Sequence, residues 1–202
     1  PMTPARDVVR LRGQLECVRV WLAELASIPP PECLGPAYTV SAILEPLDAE
    51  VAALGPSVAG GWRGARAAAE ILDAKPAVVC HFDLGPSNVL ASRGGVGVVD
   101  WEYARRAQPL YDWVRFVVQM VLAWRAAPPD LSKPLVDDGV VLGAVERAFF
   151  TPGELADAVA SETIAAAALA GLELGALEAM VRATLVQYLV PQLPWRDRRL
   201  PL

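Results

Sequence analysis

His81-Phe82-Asp83-Leu84-Gly85-Pro86-Ser87-Asn88 is followed by Val89-Leu90, the turn Ser92-Arg93-Gly94-Gly95, the run Val96-Gly97-Val98-Val99, and Asp100-Trp101-Glu102. The fold is decided in this stretch. Two short apolar runs flanking a Gly-Gly turn read as a β-hairpin, because glycine supplies the positive φ that tight hairpin turns need. A carboxylate and an amide, Asp83 and Asn88, stand on the loop before the hairpin, and its second strand runs into another carboxylate, Asp100. With the turn centred on Gly94, antiparallel pairing sets Asn88 directly opposite Asp100, and such cross-strand neighbours have Cβ atoms about 4.5–5.5 Å apart. An amide oxygen and a carboxylate suit a hard cation such as Mg²⁺, which takes one or two carboxylates and completes its shell with phosphate oxygens. Asp83, on the loop ahead of them, is placed to act as base or orienter for an attacking hydroxyl. Phosphoryl transfer divides its labour in this way: one group positions the nucleophile and others neutralise the phosphates. An Asp-Asn-Asp trio alone is common, and paired carboxylates also serve hydrolases. That alternative explains neither Asn88 nor the hairpin spacing.

Outward from the hairpin the chain reads as helix. Between Arg6 and Ala26 the apolar residues Val9, Leu15, Val18, Leu22 and Leu25 recur at helical spacing, and Ile28-Pro29-Pro30-Pro31-Glu32 ends the pattern. Residues 38–54 read as short helix, with Gly55-Pro56 as a breaker, and Trp62 to Leu72 is helical again. Ala77 to Cys80 is a short β-branched run. After the hairpin, Pro109 suits a first helical position, and Leu110, Val114, Val117, Val118, Val121 and Leu122 form a wide apolar stripe that Pro128-Pro129 closes. Val140–Phe150, Pro152–Leu172 and Ala176–Leu189 give three more helices, the last stopping at Pro191. The fold class is therefore α+β, predominantly helical, with a small β island.

His-x-Asp-x-x-x-x-Asn, a hairpin and then Asp-Trp-Glu resemble the catalytic loop and metal-binding segment of the aminoglycoside phosphotransferase and choline kinase family, distant counterparts of the protein-kinase HRD…N and DFG elements. The likeness covers roughly residues 76–117. It implies Asp83 as catalytic base, Asn88 and Asp100 as Mg²⁺ ligands against the phosphates of ATP (or GTP), and His81 as a structural brace of the loop. The segment Gln108-Pro109-Leu110-Tyr111-Asp112 resembles that family's Asp-Pro-x-x-Asp-Leu, which implies that Asp112 braces the loop as well. The residues read alone also permit plainer roles: a core histidine at 81, and at 112 an acid in a helix's first turn, where the macrodipole favours it. Glu102 reads as solvated, with an approach to the metal as the alternative; Trp101 and Tyr103 read as core aromatics, or Trp101 as part of a nucleotide pocket. Asp130, Asp137, Asp138, Glu146, Glu154 and Asp157 read as solvated helix faces, or as the lining of a cleft for a cationic sugar. The sequence departs from the family pattern in three places: Phe82 stands where glycine is usual, Gly85-Pro86 replaces His-Pro, and Gln108 replaces a common aspartate. None of these removes an oxygen from the proposed site.

The resemblance implies a kinase-like C-terminal lobe, here a single unit over 1–202 with a helical lead-in (1–75), the catalytic and metal segment (76–117) and a helical substrate side (118–202). The N-terminal ATP lobe is expected to be absent, since residues 1–80 read mainly as helix and their one lysine, Lys75, directly precedes the catalytic loop. A partner or a missing segment would supply it. The implied activity moves the γ-phosphoryl of a nucleoside triphosphate to a hydroxyl of a small molecule (aminoglycoside, sugar or amino alcohol); the alternative is a non-catalytic lobe that binds a ligand or partner. Of the 202 residues 54% are hydrophobic and 20% charged, which supports a sizeable core. A formal net charge of −5 with no long basic run argues against nucleic acid. The longest apolar run, Ile164 to Leu172, falls short of the roughly 20 residues that span a membrane. Three scattered cysteines and a single histidine disfavour a zinc site and fit a reduced, cytoplasmic setting.

Overall fold

The first helix, α1 (Val8–Ala26), starts where Asp7 accepts a hydrogen bond from the Arg10 backbone N–H at 2.8 Å, an N-cap that satisfies one of the free amides of the first turn. It buries Leu11, Leu15 and Val18, one stripe of the 3.6-residue period. Val9 lies outside that stripe and is 82% exposed, so the sequence expectation for this residue is corrected. The computed structural model describes residues 2, 7–52, 56–92, 95–125 and 138–189. The expected helix stops at Pro128-Pro129 and Pro191 lie outside these residues.

Residues 38–52 divide into α2 (Val40–Leu44) and α3 (Asp48–Ala52), joined by a 3₁₀ turn. The next helix, α4 (Pro56–Asp73), begins six residues before the expected start; Pro56 opens it rather than breaking the chain, as its fixed φ permits. At its far end Asp73 accepts from the Val40 and Ser41 backbone N–H groups, both at 2.8 Å, and so caps α2 from outside. The strands β1 (Val78–Cys80), β2 (Val89–Ser92), β3 (Gly95–Val98) and β4 (Arg105–Ala107) form two separate two-stranded antiparallel sheets, β1 with β4 and β2 with β3. Nothing in Arg105-Arg106 alternates apolar with polar, so β4 was not foreseen. The hairpin register is Val89↔Val98 through Ser92↔Gly95, one residue off the expected alignment, because Ser92 and Gly95 pair around two intervening residues.

The last four helices are α5 (Tyr111–Arg125), α6 (Asp138–Phe149), α7 (Glu154–Leu169) and α8 (Leu177–Leu189). From Leu110 to Val121 all but Arg115 and Gln119 are buried, so α5 is the central helix, apolar nearly all round as a core helix must be. It starts at Tyr111, not at Pro109; the buried Gln108 side chain accepts from the Leu110 N–H at 2.7 Å just ahead of it. Around it α1 packs on α7, α4 on α8, and α6 on α5. The loop that carries Asp83 and Asn88 lies at the N-terminal end of α5. No helix among the described residues is long and apolar enough to cross a membrane.

The α1–α7 contact carries a carboxylate that is almost fully buried. Glu162 meets the Arg19 Nε at 2.9 Å and the Arg12 Nε at 3.2 Å, with side-chain exposures of 7% for Glu162, 16% for Arg19 and 56% for Arg12. Glu162→Ala, which leaves the largely buried Arg19 guanidinium only the more distant Glu16 at 3.9 Å, should lower the unfolding free energy by about 2–4 kcal/mol. Arg12→Ala, on the solvated side, should cost less than about 1 kcal/mol. Urea unfolding of both variants checks this, and equal losses would contradict it.

Candidate functional site

The chain leaves β1 at Cys80 and turns sharply. Phe82 has φ 67° and Asp100 φ 68°, both in the left-handed region, where a side chain costs about 1–2 kcal/mol. Phe82 is held there by packing: its ring stacks on Tyr111 (centroids 4.1 Å, planes 5° apart) and meets the Tyr38 ring edge-on at 4.9 Å. The Arg105 guanidinium lies 4.9 Å from its centroid. These contacts account for a phenylalanine where the resembling family has glycine.

Asp112 lies in the first turn of α5 and is 1% exposed. Its two carboxylate oxygens accept from the backbone N–H groups of His81 at 2.5 Å and Phe82 at 2.9 Å. Burial pushes its carboxyl up to about 6, against the opposing pull of those two hydrogen bonds. His81, fully buried, stitches the next layer. Its Nδ1 accepts from the Asp83 N–H at 3.2 Å, and its Nε2 lies 2.8 Å from the Val99 carbonyl, to which Nε2–H donates. One neutral imidazole thus ties the residue of the loop carboxylate to the residue before Asp100.

Around Asp83 the polar groups converge. Asn88 donates from Nδ2 to the Asp83 carbonyl at 3.0 Å and to its Oδ2 at 3.4 Å, while the Asn88 Oδ1 accepts from the Ser87 hydroxyl at 3.3 Å. The Arg115 guanidinium contacts the Asp83 Oδ1. Asn88 sits opposite Val99, whose N–H donates to the Asn88 carbonyl at 3.0 Å, so Asp100 stands one residue beyond the pairing the sequence implied. Its carboxylate is exposed, with no hydrogen bond or ion pair to another described residue. The neighbouring Tyr103 hydroxyl is raised above its ordinary value, first by a hydrogen bond to Glu102 and then by the fields of Glu102, Asp83 and Asp100. Trp101 packs 4.9 Å from the His81 ring and 6.0 Å from Trp21.

The donor set here is oxygen: an uncommitted carboxylate at Asp100 and an amide oxygen at Asn88 that holds a single hydroxyl donor. Among the described residues no cluster of three or more His, Cys, Asp or Glu side chains forms a closed cation cage. The set fits a cation that also takes ligands from phosphate, as Mg²⁺ does, and does not fit a fully protein-bound metal. Glu146, Glu154 and Asp157 are exposed, and Asp130 and Asp137 lie outside the described residues. Sequence reasoning missed Arg115 and Arg105. Arg115 had a usable signal, since it lies three residues after Asp112 on the same helical face.

A sequence model of the phosphotransferase enzyme family matches residues 5–149. No match was found among curated proteins. Two of the similar solved structures are kinases. One is an ethanolamine kinase from Plasmodium vivax, with 15% identity, TM-score 0.42, 98% of this chain and 64% of that one covered. The other is a choline/ethanolamine kinase family protein from Mesorhizobium loti, with 17% identity, TM-score 0.41, and coverage of 98% and 69%. The chain thus spans 64% of the length of the Plasmodium vivax protein.

Asp112→Ala would leave two N–H groups without an acceptor and should lower the unfolding free energy by about 2–4 kcal/mol. Between pH 3.8 and about 6 the folded chain keeps a proton on Asp112 that the unfolded chain has released. The stability of the protein relative to its Asp112→Asn variant should therefore fall as pH rises through that window and level off above it. A pH-independent difference in denaturant unfolding would rule this out. At Phe82 the usual order should invert, with Phe82→Gly about 1 kcal/mol more stable than Phe82→Ala. Thermal unfolding of the pair decides it, and an alanine variant at least as stable would show the backbone strain to be unimportant.

Proposed function

We propose, from the premise that this chain belongs to the phosphotransferase enzyme family, that it is a kinase-like C-terminal lobe moving the γ-phosphoryl of ATP or GTP to a small-molecule hydroxyl. An aminoglycoside, a sugar or an amino alcohol is the acceptor class. The observation that carries the reading is the Asn88 side chain hydrogen-bonded to Asp83, beside the backbone pairing of Asn88 with Val99 that brings Asp100 next in the chain. Asp83 accepts the hydrogen bond of the acceptor hydroxyl and takes its proton as the new O–P bond forms and the bond to the leaving nucleoside diphosphate breaks. Asn88 and Asp100 are the residues that would hold Mg²⁺, which when bound offsets the charge of the phosphates. His81 and Asp112 act at one remove: they fix the backbone that presents Asp83 and Asp100.

The reading extends to a nucleotide cradle contributed by an N-terminal lobe outside this chain, either a preceding segment or a partner. The chain should bind Mg²⁺–ATP weakly alone. Isothermal titration should show binding that needs Mg²⁺, is lost in Asp100→Ala, and is kept in Asp83→Asn, whose transfer to an acceptor should fall by about 100-fold or more. Metal-independent binding, or binding unchanged in Asp100→Ala, would refute the assignment of Asp100.

A further inference from the structure

Asp112, Arg115 and Gln119 lie on one face of α5 at spacings of three and four residues, the spacing that aligns side chains along a helix. All three face the catalytic loop. Asp112 holds the backbone of His81 and Phe82, and Arg115 contacts the Asp83 carboxylate. Gln119 packs where a side chain on Gly85 would meet it, at 3.7 Å. The same helix face that fixes the loop's backbone therefore also grips its one reactive side chain.

We propose that Arg115 is a positioning residue that fixes the direction of the Asp83 carboxylate. The proposal rests on the reading of Asp83 as the group that meets the acceptor hydroxyl. Asp83 is held from both sides, Oδ1 by Arg115 and Oδ2 by the Asn88 amide at 3.4 Å. Each carboxylate oxygen has two lone-pair positions, so one on each stays open for a hydroxyl. Arg115 is itself held. Its guanidinium lies 5.1 Å from the Tyr188 ring centroid, and the Tyr188 hydroxyl accepts from the Gln119 Nε2 at 2.8 Å. The aim of Asp83 is thus set through α5 by a contact with α8, far along the chain.

The exposures separate this role from a purely structural one. The Asp83 side chain is 36% exposed and that of Arg115 17%. An ion pair with so solvated a carboxylate adds little to folding. It removes the rotational freedom an aspartate on a loop would otherwise have, and misplacement by about 1 Å of a reacting group can reduce rate by about 100-fold.

The test uses the full chain. Side-chain three-bond couplings at Asp83 should report a single χ1 rotamer in the wild-type protein and averaged values in Arg115→Met. Phosphate release from Mg²⁺–ATP, with water as acceptor, should fall about 100-fold in kcat in Arg115→Met at unchanged KM. Added guanidinium ion should restore part of it. Arg115→Lys, which keeps the charge but not the planar fork, should fall between the two, and it serves the same comparison if the methionine variant does not fold. Couplings at Asp83 that are identical in wild type and variant would overturn the proposal, whatever the activity. So would a loss confined to KM. Averaged couplings in the variant with no phosphate release from any form would count against the transfer reading and would leave Arg115 as the group that aims Asp83.

Discussion

A single buried carboxylate accepting two backbone N–H groups is the contact from which the rest of the site follows. Asp112 is sealed under the loop it holds, and the arrangement sets two unfavourable quantities against each other: desolvation of the charge, and the loss of acceptors for two amides if the charge is absent. Buried amides without acceptors are each worth about 1–3 kcal/mol, so the loop and the first turn of α5 form and separate together. The direction of the Asp83 side chain, the turn at Phe82 and the approach of Asn88 then descend from the same joint.

His81 passes this constraint across to the hairpin. Its two ring nitrogens bond the Asp83 amide and the Val99 carbonyl, so the segment bearing Asp100 cannot shift relative to the loop without breaking one of them. Positive φ values at Phe82 and Asp100 fall on either side of this link. Strained backbone at functional sites persists when the surroundings over-determine it. Here the determinants are the stacked Tyr111 ring on one side and the imidazole bridge on the other. Pre-organisation of this kind suits electrostatic chemistry, in which fixed dipoles and charges must not reorganise during the reaction. Asp100 has no hydrogen bond or ion pair to another described residue, which leaves its carboxylate open to the cation proposed above.

Much of this was legible in the sequence, and for identifiable reasons. Leu11, Leu15 and Val18 mark α1 because burial follows helical period, and the hairpin was readable from Val89-Leu90 and Val96–Val99 around glycines. Asp83, Asn88 and Asp100 stood out as oxygen-bearing side chains, the first as a candidate base and the other two at a spacing that suits a hard cation. The register was misjudged by one residue because the sequence does not say which pair closes the turn, and side-chain alternation in so short a ribbon, with Gly95 and Gly97 in it, gives little to correct the alignment. Strand β4 was invisible since Arg105 and Arg106 hydrogen-bond through their backbone and share no apolar face. The grip of Arg115 on Asp83 was legible only through its spacing from Asp112, because an arginine on a core helix ordinarily reads as a side chain reaching for solvent.

The most direct measurement is paramagnetic. Mn²⁺ substituted for Mg²⁺ in the presence of ATP should broaden the Asn88 side-chain amide and the Asp100 backbone amide signals in NMR spectra, ahead of every other resonance in the chain. Broadening that begins elsewhere, or that spares both residues, would contradict the convergence of Asp83, Asn88 and Asp100 on a metal-bound phosphate.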